Sequence, residues 1–523
     1  MLTNAGRSGF RAPRPPISLH RMRRAATVFL GLLLSAGTAR GQSSSPPATF
    51  EEALRRRSIA DLRSWREQHA WSFGDRLAGF FERLLATRSA GDHDAVERVQ
   101  LDAAFLAEAV AEDPFSGWLL QILRWDVEAC AREETALSLA AELPGMVAAG
   151  EADAAWSQVD ELRDHLTPPG GWPLLAPDLT RLAAALFHRG DRERAGKLAS
   201  ALLASSEELR RGGVLAANER ILAEIARESG ALDEAERRTT RSAEVAAGLD
   251  SGEVGRLARE IEGLEATGID VLLEIHGSEK ASLVVAVGGK ATTAVLLDLG
   301  PEGAAAKGLG ERLLQQVAPA LAGRVGVVCG GTLASLPVEG LALPGDPPKP
   351  FGASTAVVRL SRAPIGAWIA DPAPAAGTLG VSGTLVVLDA GGRSAAAEWL
   401  ERQTSGPLAP VRSVHPKTAE DLAREAAGAR ILHFDLVPDA KGLRARADLA
   451  VLARPCPSPE GLVEALHAAG VRDVLYTPGS AGDGFLVRFY EHLAKGEEPA
   501  QAAASARAAG SQAQGAWVLH RRS

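Results

Sequence analysis

At 523 residues the chain is longer than one hydrophobic core ordinarily organises, which favours two or more domains and excludes a small stapled scaffold. Apolar residues at 46% and charged residues at 23% sit near the averages of soluble globular proteins, excluding wholesale disorder and a multi-spanning membrane protein. A net charge of −8 gives no global electrostatic reason to bind nucleic acid or an anionic membrane, and no local basic patch argues for either.

In chain order, Arg7, Arg11, Arg14, Arg21, Arg23 and Arg24 precede an apolar run from Ala25 to Ser35, with no acidic residue before it. This order predicts a secretory signal over residues 1–41, because the run is shorter than the roughly 20 apolar residues a membrane-spanning helix needs. Small residues at Gly37, Ala39 and Gly41 suit a signal peptidase, and a start at Met22 would leave a signal of ordinary length. No cysteine lies near the cleavage region, so no lipid anchor is expected. The expected location is periplasmic or extracellular, with no membrane span after signal removal. Cys130, Cys329 and Cys456 are odd in number and lack a CxxC pair or a nearby His cluster, so neither a disulfide framework nor a metal site is expected.

From Phe50 to Ala266 the pattern is helix after helix, rich in Ala, Leu, Arg and Glu. Pro177 and Asp178 are read as a stop and an N-cap, after which Leu179, Leu182, Ala183 and Leu186 fall on one face. Ala195, Leu198, Ala199 and Leu202 repeat that spacing after Gly190, predicting an antiparallel helical hairpin. Gly150, Gly190 and Gly230 recur at about 40 residues, each followed five positions later by Ala155, Ala195 or Ala235, and Gly91, Asp92 and Ala95 suggest an earlier copy. These positions resemble the G-D-x-x-x-A turn of tetratricopeptide repeats, at a longer period than the usual roughly 34 residues. Trp65, Trp71, Trp118, Trp125, Trp156 and Trp172 are expected to anchor helix packing. Such an array can bind a peptide on its concave face or prop its neighbour, and the sequence does not choose.

After Gly268 the period changes. Val271 to Ile275, Leu283 to Val287 and Thr293 to Leu299 predict an antiparallel meander. Val325 to Val328, Leu385 to Leu388, Ile431 to Phe434, Leu449 to Leu452 and Val474 to Tyr476 are apolar runs of the kind covered on both faces. Helical patterns over Ala395 to Gln403, Thr418 to Ala427, Ser458 to Ala469 and Gly482 to Leu493 lie between or after them. The expectation is an α/β domain with a mainly parallel sheet.

The segments VGVVCGGTLASLPVEGLAL (Val325 to Leu343), ARILHF (Ala429 to Phe434), Leu449 to Ala502 and the closing Trp517, Val518 and Leu519 come in an order that resembles the CHAT domain. That family has a caspase-like peptidase fold and commonly follows tetratricopeptide repeats. The resemblance spans about residues 270 to 523, after a TPR-like helical domain over 42–266. In active relatives a Cys beyond one strand is the nucleophile, and a His beyond the neighbouring strand lowers its pKa. Here the resemblance puts Val437 at the His position and Pro455 at the Cys position, with Cys456 displaced by one residue. Cys456 and His433 are the surrogate candidates, His433 being read as a core histidine bonded to backbone and Cys456 as a solvent-edge or packed thiol. His415 and His467 could substitute only if the fold carried them to the crevice, and Cys329 is read as structural.

No GxxxxGK[ST], HExxH or GxSxG motif occurs; GVSGT (Gly380 to Thr384) and GLGERLL (Gly308 to Leu314) lack the needed pattern or context. The expectation is therefore an exported, catalytically degenerate protein with a protein or peptide partner and without cofactor, metal or nucleic acid. The alternative is a cysteine endopeptidase using Cys456 with a repositioned His.

Overall fold

The computed structural model describes residues 47–111, 120–165, 171–249, 253–278, 281–288, 292–298, 309–334, 336, 338–343, 349–369, 383–387, 393–403, 405–438, 440, 443–445, 447–456, 459–477, 484–509 and 517–521. The expected signal stretch, Trp118, Gly308 and the Gly380–Ser382 part of GVSGT lie outside these residues, as does the side chain of Trp172. None of the described helices is long and apolar enough to cross a membrane.

An N-terminal helical region comes first: α1 (Phe50–Arg56), α2 (Ile59–Gln68), α3 (Ala70–Ser89), α4 (His93–Ala109), α5 (Val127–Ala148), α6 (Ala152–His165), α7 (Gly171–Arg189), α8 (Arg192–Glu208), α9 (Gly212–Glu228), α10 (Leu232–Ala247), α11 (Glu253–Glu262) and α12 (Leu264–Thr267). Side chains start several of them: Thr49, Ser58, Asp92, Asp126 and Asp191 each accept from a backbone N–H in the first turn. Gly150, Gly190 and Gly230 adopt φ of +91°, +94° and +81°, the left-handed turn that ends one helix and admits the next, and Ala155, Ala195 and Ala235 are buried where those next helices pack. Gly91 adopts the same conformation between α3 and α4. The expected stop at Pro177 is overturned, since α7 runs through it from Gly171. Leu174, Leu175 and Ala176 are each 1% exposed, so packing of the first turns outweighs the lost N–H. Trp65 is in the core; Trp71, Trp125 and Trp156 pack half-buried against it.

The α/β domain follows. Its strands are β1 (Val271–Gly277), β2 (Ala281–Gly288), β3 (Thr292–Asp298), β4 (Arg324–Gly331), the short pair β5 (Ala342–Leu343) and β6 (Lys349–Pro350), β7 (Ala356–Leu360), β8 (Thr384–Val387), β9 (Val411–Val414), β10 (Ile431–Phe434), β11 (Leu449–Leu452), β12 (Asp473–Tyr476) and β13 (Val518–Arg521). Its helices are α13 (Leu309–Gln315), α14 (Phe351–Ser354), α15 (Ala395–Glu401), α16 (Ala419–Ala426), α17 (Glu460–Ala468), α18 (Gly484–Ala494) and α19 (Pro499–Ala508). All strands but β5 and β6 join one sheet in the order β3-β2-β1-β4-β7-β13-β12-β11-β10-β8-β9. β1, β4, β7 and β13 run one way and β8 to β12 run the other, meeting where β13 pairs antiparallel with β12. The carboxyl ends of the two parallel groups therefore lie on opposite edges of the sheet.

A single apolar cluster joins the helical region to the sheet, running from Leu143, Leu182 and Ile221 through Leu272, Val328, Leu360 and Val451 to Leu400 and Phe489. On the other face, α16 and α17 cover the β8 to β12 half while Leu313, Leu314 and Phe351 cover β1 and β4.

Helix α9 is buried along nearly its whole length, yet it carries Arg220, Glu224 and Arg227 on one face at i, i+4 and i+7. Charges this deep need partners. Arg220 donates to Glu224 and to Glu274 of β1, both at 2.7 Å, and Arg227 grips Glu224 at 2.6 and 2.8 Å. Burial pushes the Glu274 carboxyl up to about 7 against the pull of Arg220. Burial works to raise Glu224 as well, but Arg227 and Arg220 overcome it and hold that carboxyl well below its ordinary range. Replacing Glu224 with Ala strands the buried Arg227 guanidinium and leaves Arg220 with Glu274 alone, and is expected to cost about 3–5 kcal/mol in chemical denaturation. Because native Glu274 holds its proton between its ordinary 4.5 and about 7, it contributes stability that declines as pH rises through that window; Glu274→Gln should remove this part of the pH profile.

Candidate functional site

β10 and β11 are neighbouring parallel strands, with Ile431 opposite Leu449 and Phe434 opposite Leu452, so their carboxyl ends open together. Three residues past β10, Val437 is 54% exposed and offers no group that can carry a proton. Past β11, Arg454 and Pro455 are exposed while Cys456 is packed at 4%. Two backbone bonds set this path: Ala453 N donates to Phe434 O at 2.9 Å, and Cys456 N donates to Thr477 O at 2.9 Å, carrying the chain from the β10 side to the β12 side.

His433 lies mid-strand in β10 and is wholly buried. Its Nδ1 shares a 2.7 Å hydrogen bond with the Tyr490 hydroxyl of α18, and its Nε2 has no hydrogen-bond partner among the described residues. The expected bond to backbone is thus replaced by one to a side chain, because pairing on both sides by β8 and β11 occupies the strand's own peptide groups. Burial pushes His433 down to about 3 and Tyr490 well above its ordinary value, so both are neutral around pH 7.

The other histidines lie elsewhere. His415 is exposed just past β9, with β8 between that edge strand and β10. His467 is at the end of α17, its Nδ1 2.9 Å from Val471 O and its Nε2 3.0 Å from His520 Nδ1, at the amino end of β12; Cys456 sits with Thr477 beyond that strand's other end. Cys329 is on the opposite edge of the sheet, where burial pushes its thiol up to about 11. Burial also raises the Cys130 thiol, within the helical region.

Sequence reasoning missed Asp435. Directly after β10 and fully buried, it accepts from Ser394 N, the N-cap of α15, at 2.5 Å. Arg454 Nε donates to Asp435 O at 3.1 Å and lies 3.4 Å from Oδ1. A charged residue directly after an apolar strand was the available signal. The crest thus holds a pinned carboxylate, an exposed valine, an exposed proline and a packed thiol, and the imidazole of β10 is engaged by a phenol beneath it. No group of three or more potential metal ligands occurs among the described residues. No family model matches the chain, and no curated protein matches it.

Two buried imidazoles contribute to the acid behaviour. His433 and His520 both sit near 3, pushed down chiefly by burial, against an ordinary 6.5. Below pH 6.5 the unfolded chain takes up protons that the native state refuses, so each imidazole subtracts stability as pH falls toward 3. In urea denaturation series between pH 7 and 5, His433→Leu should show a shallower loss than wild type, by about 2 kcal/mol between pH 6.5 and 5. Tyr490→Phe, which leaves Nδ1 without its partner, should cost about 1–3 kcal/mol at pH 7.

Proposed function

We propose that this is an exported, CHAT-like protein whose caspase-like domain has lost its catalytic dyad and acts by binding a protein or peptide partner, its TPR-like helices serving as a prop. The observation that carries this reading is the crest of β10 and β11: Val437 and Pro455 stand at the two positions the resemblance assigns to chemistry, and His433 is neutral and bonded to Tyr490. A cysteine protease needs a thiolate paired with an imidazolium, and an imidazole near 3 does not supply one around neutrality.

The fold supports the reading at a coarser level, because a helical region leads into an α/β domain whose β10 and β11 are adjacent and parallel. The recurring left-handed glycines and buried alanines support the kinship with TPR-like hairpins. The prop role is supported by the apolar cluster common to helices and sheet, and by polar ties such as Arg521 to Thr267 O at 3.1 Å and His188 to Ile365 O at 3.2 Å.

With a mixed pool of fluorogenic peptides, the full chain should show no turnover above buffer, and Cys456→Ala should be indistinguishable from wild type. Iodoacetamide should leave Cys456 unmodified in the native protein below pH 8 and label it after unfolding. Cleavage by wild type that disappears in Cys456→Ala overturns the proposal.

A further inference from the structure

The amino ends of β1, β4 and β7, together with α14 and α19, bound a cavity of about 560 Å³. It lies on the same edge of the sheet as the β10–β11 crest but in the other half, with β13 and β12 between. Its volume falls within the range of small-molecule sites, about 300–1,000 Å³.

The walls are tied to one another without help from a ligand. Asp270, just ahead of β1, accepts from Arg324 N of β4 at 2.7 Å. Gly323, at φ +78°, makes room for that carboxylate, since a Cβ there would lie 2.4 Å from Asp270 Oδ2. Arg507 of α19 donates to Gly352 O of α14 at 3.3 Å and to Trp517 O at 2.5 Å. Helix α19 gives Gln501, Ala504, Ser505 and Ala508 to the lining, at i, i+3, i+4 and i+7, and the two alanines are too short to fill the space.

The polar groups on these walls define what fits. Thr355, the residue before β7, is 8% exposed and lines the cavity, yet its hydroxyl has no hydrogen-bond partner among the described residues. A buried hydroxyl is costly to leave unpaired, so the cavity is where its partner belongs. The Gln501 side-chain amide also has no partner among the described residues. Ser354 gives its proton to Pro350 O at 3.3 Å and Ser505 gives its own to Glu497 at 2.9 Å, so these two hydroxyls can offer a ligand only lone pairs. Charge selects no ion: Asp270 and Arg324 cancel within the described lining, and Arg324 is further held by Glu498 and by Gly268 O. Donors and acceptors thus stand side by side without net charge, interspersed with the methyls of Ala353, Ala356 and Ala504. A ligand hydroxyl both donates and accepts, and the C–H faces of a sugar ring suit the methyls.

We propose that this cavity binds an uncharged polyhydroxyl ligand, a mono- or disaccharide, with Thr355 and Gln501 as its hydrogen-bonding anchors. The site uses no residue of the crest and stands or falls independently of the reading given for it. Saturation-transfer NMR titration of the full chain with glucose and with maltose tests it, with spermidine and inorganic phosphate as charged competitors. Binding is measured directly because sugars also raise protein stability by exclusion from the surface. At least one sugar should bind at a single saturable site, with affinity about tenfold weaker in Thr355→Val and unchanged in Arg424→Ala, an exposed arginine of α16. Neither charged competitor should displace it. Circular dichroism checks the fold of each variant; should Thr355→Val not fold, Gln501→Ala must weaken binding in its place. Absence of saturable binding by both sugars, displacement by spermidine or phosphate, or wild-type affinity in the folded deciding variant overturns the proposal.

Discussion

Arg220, Glu224, Arg227 and Glu274 are the constraint on which the junction of helices and sheet depends. A helix enclosed on nearly all sides would ordinarily be apolar all round, and α9 is not. Its charged stripe is satisfied only when β1 places Glu274 within 2.7 Å of Arg220. An apolar stripe would tolerate sliding of the helix along the sheet, whereas sliding this one would separate buried ions from their partners. The apolar cluster around it supplies area, and the ions supply position. The helical region is therefore a layer of the α/β domain as much as an array of its own.

That seating brings the end of α9 over the carboxyl edge of β1, β4 and β7, together with the α7–α8 turn. The reversal of strand direction between β13 and β12 puts the carboxyl ends of β10 and β11 on the far edge. At that edge the groups that could perform chemistry are absent or enclosed.

The apolar runs at Ile431 to Phe434 and Leu449 to Leu452 were readable as strands because both faces are covered and no charge interrupts them. β7 was not, since Arg359 breaks the run; only the fold reveals that Glu339 meets that guanidinium at 3.0 Å. β9 was missed for a different reason: it is an edge strand with Arg412 and Ser413 exposed, so its sequence lacks the apolar signature. The start of α7 failed on local rules, because Pro177 reads as a stop until the burial of Leu174 and Leu175 is known. At the candidate site, Val437, Pro455 and the offset of Cys456 were legible by counting along strands. The phenol that engages His433 comes from 57 positions away, and no spacing rule links the two. The pairing of Arg192 with Glu228 is likewise a product of tertiary folding alone.

The position of β13 bears on how the molecule is made. It follows every other strand in the chain, yet it occupies the middle of the sheet, pairing with β7 on one side and β12 on the other. Until β13 is in place, the two groups of strands have no shared edge. During that interval β7 and β12 are open edges, available to strands of neighbouring nascent chains. Insertion of β13 closes both at once, so the two edges stay open to other copies of the chain until that strand is in place.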